Sequence, residues 1–525
     1  MSQPPARVAI AAPHHLAVDA ASDVVAAGGG AVDAALAAAM ALTVTYPHQC
    51  SIGGDLIAVV RRPDGSMTSV NASGRFGTAR RPAAGQVPAS GPFSITVPGL
   101  VSGWDALHEL GGALPVARLL EPAILMAAEG VPVTGRLAAA ISAVDLDTDG
   151  DPGLRGFLTD AEGRRLSTGV ILRQKALARS LTTLAEDGLR SFYKGRLGDE
   201  ASVALQSLGA SVTRDDLRRH TPALGRVLTA EAAGCRLSTA PPSSQGYLFL
   251  STMLAADRLA KHGVEVDDRV LLELFVLTTA RREAELADPD HMSVTGIELI
   301  NSAQIEGDVA AVMARLDSAG VPRSISPAVP RGGDTVAVTA VGADGTAVSL
   351  VQSLFHYFGS RLHDPATGIT FHNRAAGFSS GSGPNSLAPG KRPAHTLMPL
   401  IVERSDGSVA AHATMGGRQQ PQIHAQVLRH RLAGATATEA VSAPRFVLAP
   451  LDQDGAYSVH AEPGLGDTVL ADLLGAGLPL RQGTVLDEQV GHAMVCALHP
   501  DGTLDAGADP RSDGATWGAG PAVAD

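Results

Sequence analysis

Thr335 stands where a flexible stretch gives way to a strand. The segment 317–334 reads DSAGVPRSISPAVPRGGD, whose Pro, Gly and Ser exclude a regular element and predict an exposed, mobile linker. From Thr335 the pattern becomes TVAVTAV, GADG and TAVSLVQSLF, two β-rich runs joined by a short glycine-containing turn. A threonine at such a junction is what a self-processing N-terminal nucleophile requires. Its hydroxyl attacks the preceding carbonyl, here that of Asp334, and hydrolysis of the resulting ester frees an α-amine beside the hydroxyl. That amine titrates at about 8, so a fraction is unprotonated at working pH and serves as general base. No histidine is needed, and no Ser-His-Asp set is evident. Taken alone the signal is weak, and the same pattern fits an ordinary β-branched residue opening a strand better.

Several elements must position such a residue. The region from His14 to Tyr46 reads as two helical stretches joined by Gly28-Gly29-Gly30, with Ala, Val and Leu at helical spacing. A loop PHQCSIGGD follows, then a strand LIAVV, a PDG turn and a second strand MTSVNA. Residues 100–316 read as mostly helical, and VLLELFVLTTARREAELA is the clearest amphipathic case. At 525 residues the chain predicts two lobes or one large layered core, and its Ala, Gly and Val content predicts a core of small aliphatic side chains.

The formal charge of −12 disfavours nucleic acid and anionic membranes as partners. Cys50, Cys235 and Cys496 are far apart, without a C-x-x-C pair, which predicts neither disulfide framework nor zinc site and fits a reducing compartment. No signal peptide or membrane span is evident, so a cytoplasmic protein is expected. His14-His15, His48 and His424 have no metal-ligand spacing with carboxylates or cysteines, so neither metal nor other cofactor is predicted. Gly28-Gly29-Gly30 is not a dinucleotide fingerprint, since no strand precedes it as required.

Segments flanking Thr335 resemble the γ-glutamyltransferase family over nearly the whole chain. AVDAASDVVAAGGGAVDAALAAAMALTVTYPHQCSIGGD looks like the family's opening helices and Gly-Gly loop. ITVPGLVSGW, APPSSQGY, GGDTVAV, LAPGKRP, MGG and ADPRSDG then match further landmarks in the family's order. The resemblance implies an α+β, four-layer αββα sandwich of the N-terminal-nucleophile hydrolase type. It also implies self-cleavage into a large subunit 1–334 and a small subunit 335–525, intertwined as one folded unit and open to further oligomerisation. Thr335 becomes the nucleophile, and Gly416 and Gly417 supply oxyanion-binding N–H groups, glycine letting the main chain approach the reacting carbonyl. Ser353 matches the position that hydrogen-bonds the nucleophile.

The chain departs from the family where an amino-acid zwitterion would be held. Ser73 matches the expected Arg, with Arg75 two residues on; Gly377 replaces an Asp; His395 and Thr396 replace a Ser pair; Arg374 replaces a Gln. Loss of an acid and gain of a guanidinium suit a small carboxylate lacking an α-amine. SLFHYFGS, NRAAGFS and PNSLAPGKRPAHT look more like the oxamate amidohydrolase branch than the glutamyl one. The expectation is therefore hydrolysis of a small 2-oxo-acid amide such as oxamate, with Asn373, Arg374, His395, Thr396 and Arg75 as candidate substrate-binding residues. Glutathione or γ-glutamyl hydrolysis and transfer, and a biosynthetic role cutting an amide or C–C bond beside an oxo-acid group, stay open. A binding protein without turnover is opposed by retention of Thr335 and both glycines.

Overall fold

The strand Ala347–Phe355 is buried at all nine positions, so both its faces must be covered. It lies in the middle of a seven-stranded antiparallel sheet, paired on one side with Asp334–Gly342 and on the other with Asp55–Arg61. Met67–Asn71 and Ala223–Gly225 extend the sheet past Asp55–Arg61. On the opposite side Val8–Ala12 is inserted between Asp334–Gly342 and Ala515–Trp517. A second antiparallel sheet of six strands runs in the order Leu504–Ala508, His492–Leu498, Val409–Met415, Leu400–Arg404, Cys235–Thr239 and Leu228–Ala232. These relationships come from a computed structural model, which describes residues 7–79, 82, 87–146, 151–316, 334–450 and 457–520.

The two sheets pack face to face through small aliphatic residues, among them Ala11, Val59, Ala337, Val351, Ile401, Ala411 and Cys496. Ser349 Oγ crosses the gap to donate to the carbonyl of His412 at 2.7 Å. The helix Ala31–Thr45 covers the first sheet and is buried at every residue. Its alanines allow that close approach, while Asp33 accepts hydrogen bonds from Gly30 N, Ala113 N and Leu114 N. Helices Gly246–Lys261 and Gln420–Leu432 cover the second sheet, and Asp268–Glu285 packs against Gly246–Lys261. The result is the expected α+β, four-layer αββα sandwich.

The predicted opening helices appear as His15–Ala26 and Ala31–Thr45, and the hairpin after the linker turns at Asp344-Gly345. Residues 100–316 are mostly helical, as their pattern implies, and also contain the hairpin Leu228–Ala232/Cys235–Thr239, which closes the second sheet. One expectation is corrected. Helix Asp268–Glu285 is present but is not cleanly amphipathic, because Val270 through Phe275 are all buried. Helices Gly246–Lys261, Ser302–Leu316 and Asp467–Gly475 and the strand Phe446–Pro450 pack around it. The linker expected at 317–334 lies, apart from the backbone of Asp334, outside the described residues.

Candidate active site

Thr335 is the second residue of Asp334–Gly342 and is 1% exposed. Register places Val336 opposite Gln352 and Asp334 opposite Phe355, so Ser353 and Leu354 together oppose Thr335 in a β-bulge. A bulge re-aims the side chain it carries. Here Thr335 Oγ1 donates to Ser353 Oγ at 3.3 Å, and Phe355 N donates to the same oxygen at 2.7 Å. Phe355 has φ +82, in the left-handed region costly for an aromatic residue, so the backbone beside Thr335 carries strain.

Ser353 is paired with Asp55, the first residue of the neighbouring strand. The Asp55 carboxylate is wholly buried, and its Oδ2 faces His372 Nδ1 at 3.0 Å, Arg374 Nε at 3.0 Å and His395 Nε2 at 3.4 Å. Gly74 N donates to its Oδ1 at 3.3 Å. Burial pushes this carboxyl upward, but His372, His395 and Arg374 outweigh burial and hold it well below the usual carboxylate range.

The two ring nitrogens of His372 face Asp55 Oδ2 and the Thr96 carbonyl, each at 3.0 Å. His395 differs: its Nδ1 accepts from Leu397 N at 3.2 Å, and burial with the Arg374 charge brings it down to about 3, so the ring is neutral. Burial lowers Arg374 to about 10, opposed by Asp55, and the guanidinium remains charged at neutral pH. It lies over the Phe355 ring, with Cζ 4.2 Å from the centroid, and Nη1 donates to Thr396 Oγ1 at 3.4 Å. Arg374 Nη2 is buried without a partner among the described residues.

Val409–Met415 runs beside Leu400–Arg404, which brings Met415 to the same end of the sandwich as Thr396. There the backbone turns at Gly416, with φ +145, and Gly417, with φ +54. A side chain at Gly416 would start 2.5 Å from Ile423 Cδ1. Gln245 Nε2 donates to both the Gly417 and the Thr396 carbonyls, closing the path from Thr335 through Ser353, Asp55, Arg374 and Thr396.

Most residues expected from the sequence therefore meet in one buried assembly: Thr335, Ser353, Arg374, His395, Thr396 and, through Gln245, the Gly416-Gly417 turn. The side chain of Asn373 is engaged by the protein, donating to the Ala89 carbonyl and accepting from His356 N. Arg75 stands apart, its guanidinium bonded to Asp288, Asp290 and the Gly390 carbonyl. The inference that the site lacks an acid needs correction, since Asp55 supplies one, held by two histidines and Arg374. Asp55, His372 and Gln245 escaped the sequence reading as site residues. Their only local signals are a carboxylate closing SIGGD ahead of an apolar run, a histidine beside Asn373 and a glutamine ending PPSSQ.

The Gamma-glutamyltranspeptidase family model matches residues 17–519. The chain is 36% identical to the oxamate amidohydrolase proenzyme of Klebsiella pneumoniae, covering 97% of each chain. It is 31% identical to the glutathione hydrolase-like YwrD proenzyme of Bacillus subtilis, covering 97% of this chain and 98% of that one. Among solved structures, cephalosporin acylase from Bacillus halodurans superposes with a TM-score of 0.86 at 29% identity, over 98% of this chain and 97% of that one. The chain thus belongs to the gamma-glutamyltranspeptidase family and is an amidohydrolase-type enzyme with the N-terminal-nucleophile hydrolase fold.

Proposed function

We propose that this enzyme is a self-processing threonine amidohydrolase acting on a small 2-oxo-acid amide such as oxamate. The observation that carries the reading is Arg374, a buried guanidinium near the nucleophile with Nη2 unpartnered among the described residues. Such a group suits a carboxylate directly attached to the scissile carbonyl. The likeness to an oxamate amidohydrolase proenzyme supports the same substrate class.

In the precursor, Thr335 Oγ1 attacks the carbonyl of Asp334, and hydrolysis of the ester leaves chains 1–334 and 335–525. The freed Thr335 amine then takes the hydroxyl proton as Oγ1 attacks the substrate amide carbon. N–H groups of Gly416 and Gly417 stabilise the oxyanion, a contribution of about 10²–10³ in kcat for one donor. The C–N bond breaks, ammonia leaves with a proton from the amine, and water releases the acid, which for oxamate is oxalate. Ser353 orients the Thr335 hydroxyl, Arg374 and Thr396 receive the substrate carboxylate, and His395, neutral at working pH, offers an uncharged ring beside them. The decisive assay is ammonia and oxalate release from oxamate by cleaved protein, with Thr335→Ala as control. Absence of release from the cleaved wild type would exclude oxamate.

The γ-glutamyl alternative requires an acid free to pair with an α-ammonium. Asp55 is a poor match, because three nitrogens already converge on its Oδ2.

A further inference from the structure

Gln245 is wholly buried ahead of helix Gly246–Lys261, and its side-chain amide makes three hydrogen bonds. Nε2 donates to the Thr396 carbonyl at 2.7 Å and to the Gly417 carbonyl at 2.8 Å, while Oε1 accepts from Arg282 Nε at 3.0 Å. The orientation is determined. Two carbonyls require the two amide hydrogens and a guanidinium requires the oxygen, so a flipped amide satisfies none of them. Arg282 also pairs with Glu283 at 3.0 Å, and Glu283 pairs with Arg418, the residue after Gly417. The glycine turn is therefore tied to the rest of the site through the Gly417 carbonyl and the Arg418 side chain, beside its own backbone bonds from Gln419 N to the Gly416 carbonyl at 2.9 Å and from Gln420 N to the Gly417 carbonyl. Those local bonds shape the turn but do not set its place relative to Thr396, whereas the Gln245 amide bonds both.

We infer that Gln245 is the positioning residue that fixes the Gly416-Gly417 turn relative to Thr396. It thereby sets the distance between the carboxylate-holding side of the site and the groups that face the developing oxyanion. The inference rests on the proposed oxyanion role of the two glycines. A fixed, short separation of this kind suits an acid whose carboxylate adjoins the scissile carbonyl. Gln245 touches no reacting atom in this scheme. Its contribution comes through the main chain of Gly417 and Thr396, where small misplacements of donors have large effects on rate.

The test is Gln245→Glu, nearly identical in shape, which keeps an acceptor for Arg282 but turns an oxygen toward both carbonyls. Gln245→Gly serves as a second variant that adds no charge. Oxamate and L-γ-glutamyl-p-nitroanilide are assayed with cleaved wild type, both variants and Thr335→Ala. The expected result is a kcat lower by about 10–100-fold in both variants, with KM changed less than about threefold because Arg374 is untouched. A merely structural role would lower the melting temperature and leave kcat per cleaved molecule unchanged, and that result overturns the inference. If Thr335→Ala instead retains full activity, the nucleophile reading fails and not this one alone. A crystal structure of Gln245→Glu gives an answer independent of substrate. The Gly417 carbonyl is expected to turn away from position 245, and a turn superposing on the wild type overturns the inference.

Discussion

Arg374 Nε and Asp55 Oδ2 stand 3.0 Å apart with both side chains wholly buried, joining the short helical turn before Phe378 to the strand that pairs with Ser353. The pair is not self-contained. Asp55 also faces two histidines, and one nitrogen of Arg374 has no partner among the described residues. Removing Asp55 leaves the Arg374 charge uncompensated in a dry interior, which costs about 3–5 kcal/mol.

Arg374→Lys tests the carboxylate role while keeping the charge. Lysine cannot span Asp55, Thr396 and a substrate carboxylate with a planar fork. KM for oxamate is expected to rise at least about tenfold with kcat less affected. An unchanged KM would assign substrate binding to another group.

Cleavage is tested by Thr335→Ala. Denaturing electrophoresis of the wild type should show fragments of about 34 and about 19 kDa, shares of a 53.5 kDa chain cut after residue 334. The variant should run as one uncut band. Full activity from an intact wild-type chain would contradict the mechanism.

Gly416→Ala places a methyl carbon 2.5 Å from Ile423 Cδ1 at a φ of +145. Ile423 must give way and the backbone is strained at this φ, and a loss of kcat of about 100-fold or more is expected in whatever protein folds and is cleaved. A paired Ile423→Ala change relieves the clash but not the φ strain, so it should recover stability before activity. Recovery of full activity would show that the turn tolerates a side chain.

Stability should fall in acid earlier than carboxylates alone dictate. Burial brings His48, His220, His395 and His492 each to about 3 from 6.5, so the folded protein keeps them neutral while the unfolded chain protonates them. Their contribution is complete above about 6.5 and is lost as pH falls from there toward 3, by about 1.4 kcal/mol per pH unit for each. Asp55, held below its ordinary range, adds a loss of the same sign below about 4. The melting temperature is expected to be level from pH 8 to 7 and to drop progressively below 6.5. A level melting temperature down to pH 4.5 would show that these rings are not buried as neutral groups.

Sequence and structure agree best where one local pattern has one meaning. Alternation after the linker located the Thr335 hairpin, and the ordered landmarks located Gly416 and Gly417. The sequence reading failed where partners lie far apart along the chain. Asp55 lies 317 residues from His372 and 340 from His395, and nothing local marks a carboxylate at a strand start as their common partner. Arg75 failed for the opposite reason. It was chosen for its nearness to an aligned position, but Asp288 and Asp290, more than two hundred residues on, engage its charge. Helix 268–285 misled because periodicity reports a single packed face, whereas Val270–Phe275 is packed on all sides.

Val8–Ala12 is clasped between two strands that follow residue 334, Asp334–Gly342 and Ala515–Trp517. A cut before Thr335 would leave those three strands hydrogen-bonded in one sheet while removing the covalent record of how they found each other. Refolding would then be an encounter between two molecules, slower at lower concentration and open to mispaired partners. Durability of the mature enzyme would rest on how rarely the clasp opens rather than on how readily it re-forms.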